Sequence, residues 1–243
     1  MMHRRRHYIY PDPDTLAAAF VCEVNHFLYE TSNEDRPIHI ALSGGSTPLA
    51  VFRQLAATGL IKEWENIHLY WGDERCVLSS DPESNYGNAK EIFLDPIAYP
   101  KERVHPIRGE ADPEQEAERY GQLLKERLPQ ENGFPVFDWI WLGLGKDGHT
   151  VSIFPDQIGL WNSRRPCVVA RHPQTGQKRI TITGGVINAA HRVAFLVAGK
   201  SKSKVVNEIV MKEGNYLDYP AFYVSPRSRN IEWYMDMAAT NWL

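Results

Sequence analysis

The sequence predicts an α/β fold, a mainly parallel sheet with helices on both faces, and three observations carry that prediction. Segments of strand character alternate with segments of helical period, the pattern of successive βαβ units. The run Phe137–Leu142 is almost wholly apolar, as a strand buried on both faces must be. Gly-rich turns follow the strand-like segments directly, at the carboxyl ends where such sheets bind ligands.

Taken in order, Asp14 to Tyr29 spaces Leu16, Phe20, Val24 and Leu28 four apart, which is the stripe of an amphipathic helix. Pro37–Leu42 alternates Ile38, Ile40 and Leu42 as a strand and stops at Ser43-Gly44-Gly45-Ser46. Thr47 then caps a helix that begins at Pro48. Asn66–Trp71 reads as the next strand, ending in Gly72-Asp73-Glu74-Arg75, with a helix expected around Tyr86–Phe93. Asp112-Pro113 opens a long helix with Ala117, Tyr120, Leu124 and Leu128 on one side. After Phe137–Leu142 comes the loop from Gly143 to His149. Further strands are expected at Cys167–Ala170, Arg179–Thr183, Val193–Ala198 and Phe222–Val224, and helices at Lys202–Met211 and Asn230–Ala239. No composition shift or Ser/Gly linker divides the chain, so residues 1–243 are expected to form one domain.

Composition narrows the function. The net charge of −3 offers no positive field to hold a nucleic acid, and no apolar run approaches the ~18 residues of a membrane helix. A soluble protein with a small-molecule partner is expected. Cys22, Cys76 and Cys167 lie far apart with no CxxC, which fits a reducing cytoplasm. His3 to His7, rich in Arg, is followed by no stretch long enough for a signal peptide and reads as a solvated tail. The oligomeric state stays open, a monomer being the working expectation.

Ser43, Gly44, Gly45, Ser46 and Thr47 lead into a helix N-terminus, where free N–H groups and three hydroxyls suit either an anion or a simple tight turn with its cap. The Lys of GxxxxGK[ST] is missing, so an NTPase loop is not supported. Gly143, Gly145 and Gly148 spell GxGxxG, yet Pro155 interrupts the helix such a motif opens, and no acid stands near Val169 to meet a ribose. A nicotinamide cofactor is therefore not expected. Asp147 and His149 are the informative pair of that loop. A carboxylate beside an imidazole fixes its tautomer and raises its basicity, as a general base near neutral pH requires. Asp73, Glu74 and Arg75 form either a solvated loop or one wall of a crevice, with Arg75 suited to clamp a phosphate or carboxylate. Cys76 has no partner that marks it as a nucleophile. No HxH, HExxH or Cys/His cluster suggests a metal, and GxSxG is absent.

Together these motifs resemble the glucosamine-6-phosphate isomerase/6-phosphogluconolactonase superfamily, on its lactonase side. The likeness runs through Ala41–Pro48, Asp73–Arg75 with Ser84-Asn85-Tyr86, Leu142–Thr150 with Ser152–Pro155, Arg179–Thr183, Phe195–Gly199 with Lys202, Trp233, and Ala238-Ala239. The resemblance implies a Rossmann-like fold, hydrolysis of 6-phosphoglucono-1,5-lactone, and no metal or organic cofactor. It implies His149 as the base acting on water with Asp147 beside it. The phosphate would be held by the Ser43–Thr47 loop, Arg75 and Lys202, with Arg179 a further candidate and Asp73 in the same crevice. Backbone N–H groups of the Gly143–Gly148 loop or a nearby cation would meet the oxyanion. Lys146, Val151 and the pair Gly184-Gly185 depart from the family pattern, and the Gly pair is expected to loosen the chain after Arg179. The deaminase side of the superfamily is disfavoured by Thr150-Val151-Ser152 after His149 and by Arg75. A non-catalytic sugar-phosphate sensor would normally carry a DNA-binding segment, and none is visible.

Overall fold

The computed structural model describes residues 6–31, 34–58, 64 and 66–240. Six strands follow the chain path expected of alternating units: β2 (Ile38–Leu42), β3 (Ile67–Trp71), β5 (Val104–His105), β8 (Trp139–Leu142), β11 (Val193–Val197) and β12 (Ile231–Asp236). They lie side by side in the order β5-β3-β2-β8-β11-β12, and β1 (Arg6–Tyr10) adds a seventh strand beyond β12. Every pair in this sheet is parallel. The first six strands thus have the 3-2-1-4-5-6 order of a doubly wound fold.

Both faces of the sheet are covered. Neighbouring residues of a strand point to opposite sides, yet every residue of β2, β8, β11 and β12 is buried. On one side α1 (Pro13–Thr31) sets Phe20 against Trp139, Trp141 and Tyr234, and α2 (Ser46–Thr58) sets Phe52 against Trp141. On the other, Phe195 stacks on Trp233 with ring centroids 4.2 Å apart. Asp112 caps α4 (Pro113–Arg127) by accepting from the Gln115 N–H at 3.0 Å, with Pro113 in the first turn as its sequence dictates. The helix expected at Tyr86–Phe93 is α3 (Asn85–Ala89) continued by a π-helical turn over Lys90–Leu94.

Five expectations need correction. Asn230–Ala239 is not a helix but contains β12, because IEWYMD is buried on both faces and so lacks the alternation that marks a strand. Arg6 and His7 are not a solvated tail: β12 gives their backbone a parallel partner, with His7 opposite Trp233. The rest of that stretch, 3–5, lies outside the described residues. Phe222–Val224 is no strand, since Pro220 starts a short 3-10 turn through Tyr223.

The fourth correction matters most for the site. The segments around Cys167–Ala170 and Arg179–Thr183 do not join the parallel sheet. They form a hairpin of β9 (Cys167–Arg171) and β10 (Lys178–Ile182), which pairs antiparallel with β4 (Asp73–Arg75) in a separate three-stranded sheet. A two-stranded ribbon, β6 (Gln130–Glu131) with β7 (Phe134–Pro135), completes the strands. Gly184 and Gly185 do not loosen the chain after Arg179. They open α5 (Gly184–Ala189), and a Cβ on either would meet the ring of Trp161 or Phe134 at 2.3 Å. The last helix of the described residues is α6 (Ser203–Met211), and no helix among them is long and apolar enough to cross a membrane.

Candidate active site

The strand order reverses between β2 and β8, and the loops that follow these two strands face each other across the resulting crevice. A cavity of about 310 Å³ opens there. Its lining includes Ser43, Gly44 and Gly45 after β2, Asp73 and Arg75 of β4, Gly143, Gly145 and His149 after β8, Arg179 of β10, and Lys202 just before α6. Eight of the residues expected from sequence thus come together. Ser46 and Thr47 fall instead in the first turn of α2, Ser46 exposed and Thr47 buried beneath it. The helix starts before Pro48 because the Leu49 N–H already donates to the Gly45 carbonyl, at 3.1 Å. The N–H groups of Ser46 and Thr47 therefore have no partner a turn earlier.

Asp147 stands outside the lining but holds His149: its Oδ1 lies 2.6 Å from His149 Nδ1. Burial opposes the charge of Asp147, yet the hydrogen bond and charge of His149 prevail and hold the carboxyl down to about 2. An ionised carboxylate can only accept, so Nδ1 carries a proton, and in the neutral ring the lone pair falls on Nε2. The glycines of the loop serve this geometry rather than a dinucleotide. A Cβ on Gly145 would sit 2.1 Å from His149 Nδ1, and Gly148 has φ +83°. The loop is also bonded to itself, Gly145 N–H to the His149 carbonyl at 2.8 Å and Gly148 N–H to the Gly145 carbonyl at 3.1 Å. Those two donors are not available to an oxyanion.

The opposite wall comes from the small sheet. Alternation along β4 turns Asp73 and Arg75 one way and Glu74 the other. Glu74, 1 % exposed, accepts from Ser84 Oγ and from the N–H groups of Arg75, Asn85 and Tyr86 at 2.7 to 3.0 Å. Burial pushes its pKa up against those four donors. Asp73 accepts from Ser152 Oγ at 2.5 Å and, through its backbone carbonyl, from Asn85 Nδ2 at 2.9 Å. The register of β4 on β10 sets Arg75 directly opposite Arg179. The Nε of each is buried without a hydrogen-bond partner. Burial and the facing Arg75 both lower the pKa of Arg179, whose guanidinium lies 5.8 Å from the Phe154 ring. Phe154 in turn packs on His149, with ring centroids 4.6 Å apart. On the other rim the half-buried Lys202 has Asp147 and Lys146 as its charged neighbours, burial lowering its pKa and Asp147 opposing that.

The sequence pattern of the family described as glucosamine-6-phosphate isomerases/6-phosphogluconolactonase matches residues 11–233. The chain belongs to this family. Among the family's 6-phosphogluconolactonases, that of Haemophilus influenzae is 43% identical over 214 residues, covering 87% of this chain and 90% of its own. That of Synechocystis is 43% identical over 202 residues, 82% of either chain. The solved 6-phosphogluconolactonase of Trypanosoma brucei superposes with a TM-score of 0.87 over 98% of both chains at 27% identity.

Reading the family motifs from sequence missed Asn85 as a lining residue, along with Leu144, Lys146 and Val151. Asn85 was legible only as part of Ser84-Asn85-Tyr86. Its place depends on Glu74 and Asp73, twelve residues or fewer away in sequence, drawing that segment onto β4. Gly44 lies so close that a Cβ there would be 1.8 Å from Asn85 Oδ1. Among the described residues no group of three or more His, Cys, Asp and Glu is placed to hold a metal ion.

Proposed function

We propose that this chain hydrolyses 6-phospho-D-glucono-1,5-lactone to 6-phospho-D-gluconate, a step of the oxidative pentose phosphate pathway. One observation carries the reading: a single crevice joins a carboxylate-oriented imidazole to two opposed arginines whose buried Nε groups have no partner in the protein. Opposed guanidiniums repel, so the arrangement favours a ligand of at least one negative charge. Arg75, Arg179, Lys202 and the Ser43–Thr47 loop with Gly44 and Gly45 supply the positive surroundings for a phosphate, and Asp73 and Asn85 add acceptors for sugar hydroxyls.

In this reading His149 Nε2 takes a proton from water as the oxygen attacks the lactone carbonyl. The imidazolium, stabilised by Asp147, then protonates the departing ring oxygen. With the Gly145 and Gly148 N–H groups engaged, the positive lining of the cleft meets the oxyanion. Anchoring the distant phosphate orients the ring, which turns remote binding into rate. A lactone needs no covalent intermediate, in keeping with a site built around a base. All of these groups come from one chain, which acts in this reading as one domain, residues 1–243, in the cytoplasm.

The test generates the lactone enzymatically and follows its loss above the spontaneous rate. Hydrolysis that persists unimpaired in His149→Ala would remove the base. Release of ammonia from glucosamine 6-phosphate, with no lactone hydrolysis, would move the chain to the deaminase side of its family. Arg75→Ala should lose the preference for the phosphorylated lactone over the unphosphorylated one.

A further inference from the structure

Gly148 hands the chain to His149, and a segment far away in sequence grips it on two sides. The Ala221 N–H donates to the Gly148 carbonyl at 3.0 Å. Tyr219 packs so close beside Gly148 that a Cβ there would be 2.3 Å from Tyr219 Cδ1 and 2.6 Å from its Cβ. Tyr219 is itself 8 % exposed and fixed at its far end, its hydroxyl donating to Glu208 Oε2 at 2.5 Å. Burial and that carboxylate push the phenol up to about 12, so it remains a donor throughout the neutral range. Glu208 sits on α6 and also accepts from the Asn215 N–H at 3.2 Å. The same helix follows Lys202 at the cleft.

Within the loop the Gly148–His149 peptide plane has one long hydrogen bond, His149 N–H to Asp147 Oδ1 at 3.4 Å, while its carbonyl side is held from outside by Ala221, at a left-handed glycine of wide conformational freedom. We propose that Tyr219, tied down by Glu208, is a positioning residue for His149: it braces Gly148 and so sets the angle at which the imidazole enters the cleft. Nothing in this strut touches substrate. It acts through the ring that does, and the proposal rests on reading His149 as the base.

The experiment compares Tyr219→Phe, Tyr219→Ala, Glu208→Ala and Glu208→Gln, each alone and in a His149→Ala background, by steady-state lactone hydrolysis and by ¹⁵N spectra of the imidazole rings. Tyr219→Ala is expected to lower kcat on the order of tenfold with KM within a factor of two, since a small misplacement of a reacting group is costly while the phosphate grip lies elsewhere. Tyr219→Phe and Glu208→Ala should share a smaller loss that does not add in the double variant, and Glu208→Gln should restore it, because an amide oxygen accepts the same bond. In the His149→Ala background none of them should lower the residual rate further. A loss of equal factor in that background, or an unchanged kcat in Tyr219→Ala, overturns the proposal. The spectra keep it separable from the reading of function: Tyr219→Ala should shift and broaden the ring-nitrogen signals of His149 relative to wild type, with Asp147 still holding the proton on Nδ1. Identical spectra sink the strut, whereas responsive spectra in a protein that hydrolyses no lactone sink only the assignment of the reaction.

Discussion

Replacing Arg179 by methionine should make the protein more stable and a poorer enzyme at once. Methionine keeps an unbranched stem to pack on Phe154 and discards the guanidinium. Removing that charge ends its cross-strand opposition to Arg75, an effect of roughly 0.2–1 kcal/mol between sheet neighbours. It also removes a buried Nε with no partner, a defect that costs about 1–3 kcal/mol. Against this stands the loss of the guanidinium contact with Phe154, about 0.5–1 kcal/mol. The balance is about 1–2 kcal/mol in favour of the variant, a rise of a few degrees in Tm for a chain of this size. With ligand the order inverts, because a charge-assisted hydrogen bond contributes about 1.5–3 kcal/mol and its loss raises KM roughly 10- to 100-fold. The assay is thermal unfolding with and without 6-phosphogluconate, beside steady-state hydrolysis. Product should raise the wild-type Tm by mass action and the variant's far less. A variant that melts below wild type without ligand, and still prefers the phosphorylated lactone as strongly, would refute the reasoning.

Four further outcomes follow from the geometry. Asp147→Asn should lower kcat by on the order of 10²-fold, read in the steady state, because an amide no longer demands a proton on His149 Nδ1. The carboxyl held at about 2 ionises more readily folded than unfolded. Its contribution to stability is therefore present above about pH 4 and lost as pH falls toward 2, and urea midpoints should show that part of the acid sensitivity gone in Asp147→Asn. At the far end of the sheet, burial lowers both His39 and His105 to about 4. The unfolded chain takes up these protons near 6.5, so stability should decline from about pH 6.5 to 4, and more gently in His105→Phe; an equal slope would clear this cluster. In Gly145→Ala the added methyl, 2.1 Å from His149 Nδ1, must displace the ring, and kcat should fall on the order of 10²-fold.

What sequence could show of this molecule was whatever is local. Ser43 to Pro48 and Gly143 to His149 announce themselves as turns after buried strands, and the Asp147–His149 pair is readable because its partners are two residues apart. Two of the misplaced elements share one cause. β12 is covered on both faces and so shows no period, and once it is taken for a helix, Arg6 and His7 have no strand to join. The opposition of Arg75 and Arg179 depends on a hairpin that returns about a hundred residues later to pair with β4, and no spacing in the chain records that. Asn85 is hidden at shorter range, by the fold of its segment back onto Asp73 and Glu74.

The aim of Arg179 is decided at the turn between β9 and β10. There the His172 N–H donates to the Gln177 carbonyl and the Gly176 N–H to that of His172, both at 2.9 Å, with Gly176 at φ +71°. A strand has two faces, and a slip of one residue exchanges them. One residue gained or lost in this exposed turn would swing Arg179 off the cleft and bring Lys178 or Ile180 to it. Ile180 would refuse an anion, and a lysine would take one without the planar fork that fixes its orientation. Changes of surface-loop length cost a fold little. A slip of register costs more, because it would also draw Ile180 and Ile182, both fully buried, out of the core, so core packing holds Arg179 in place and with it the ligand preference of the cleft.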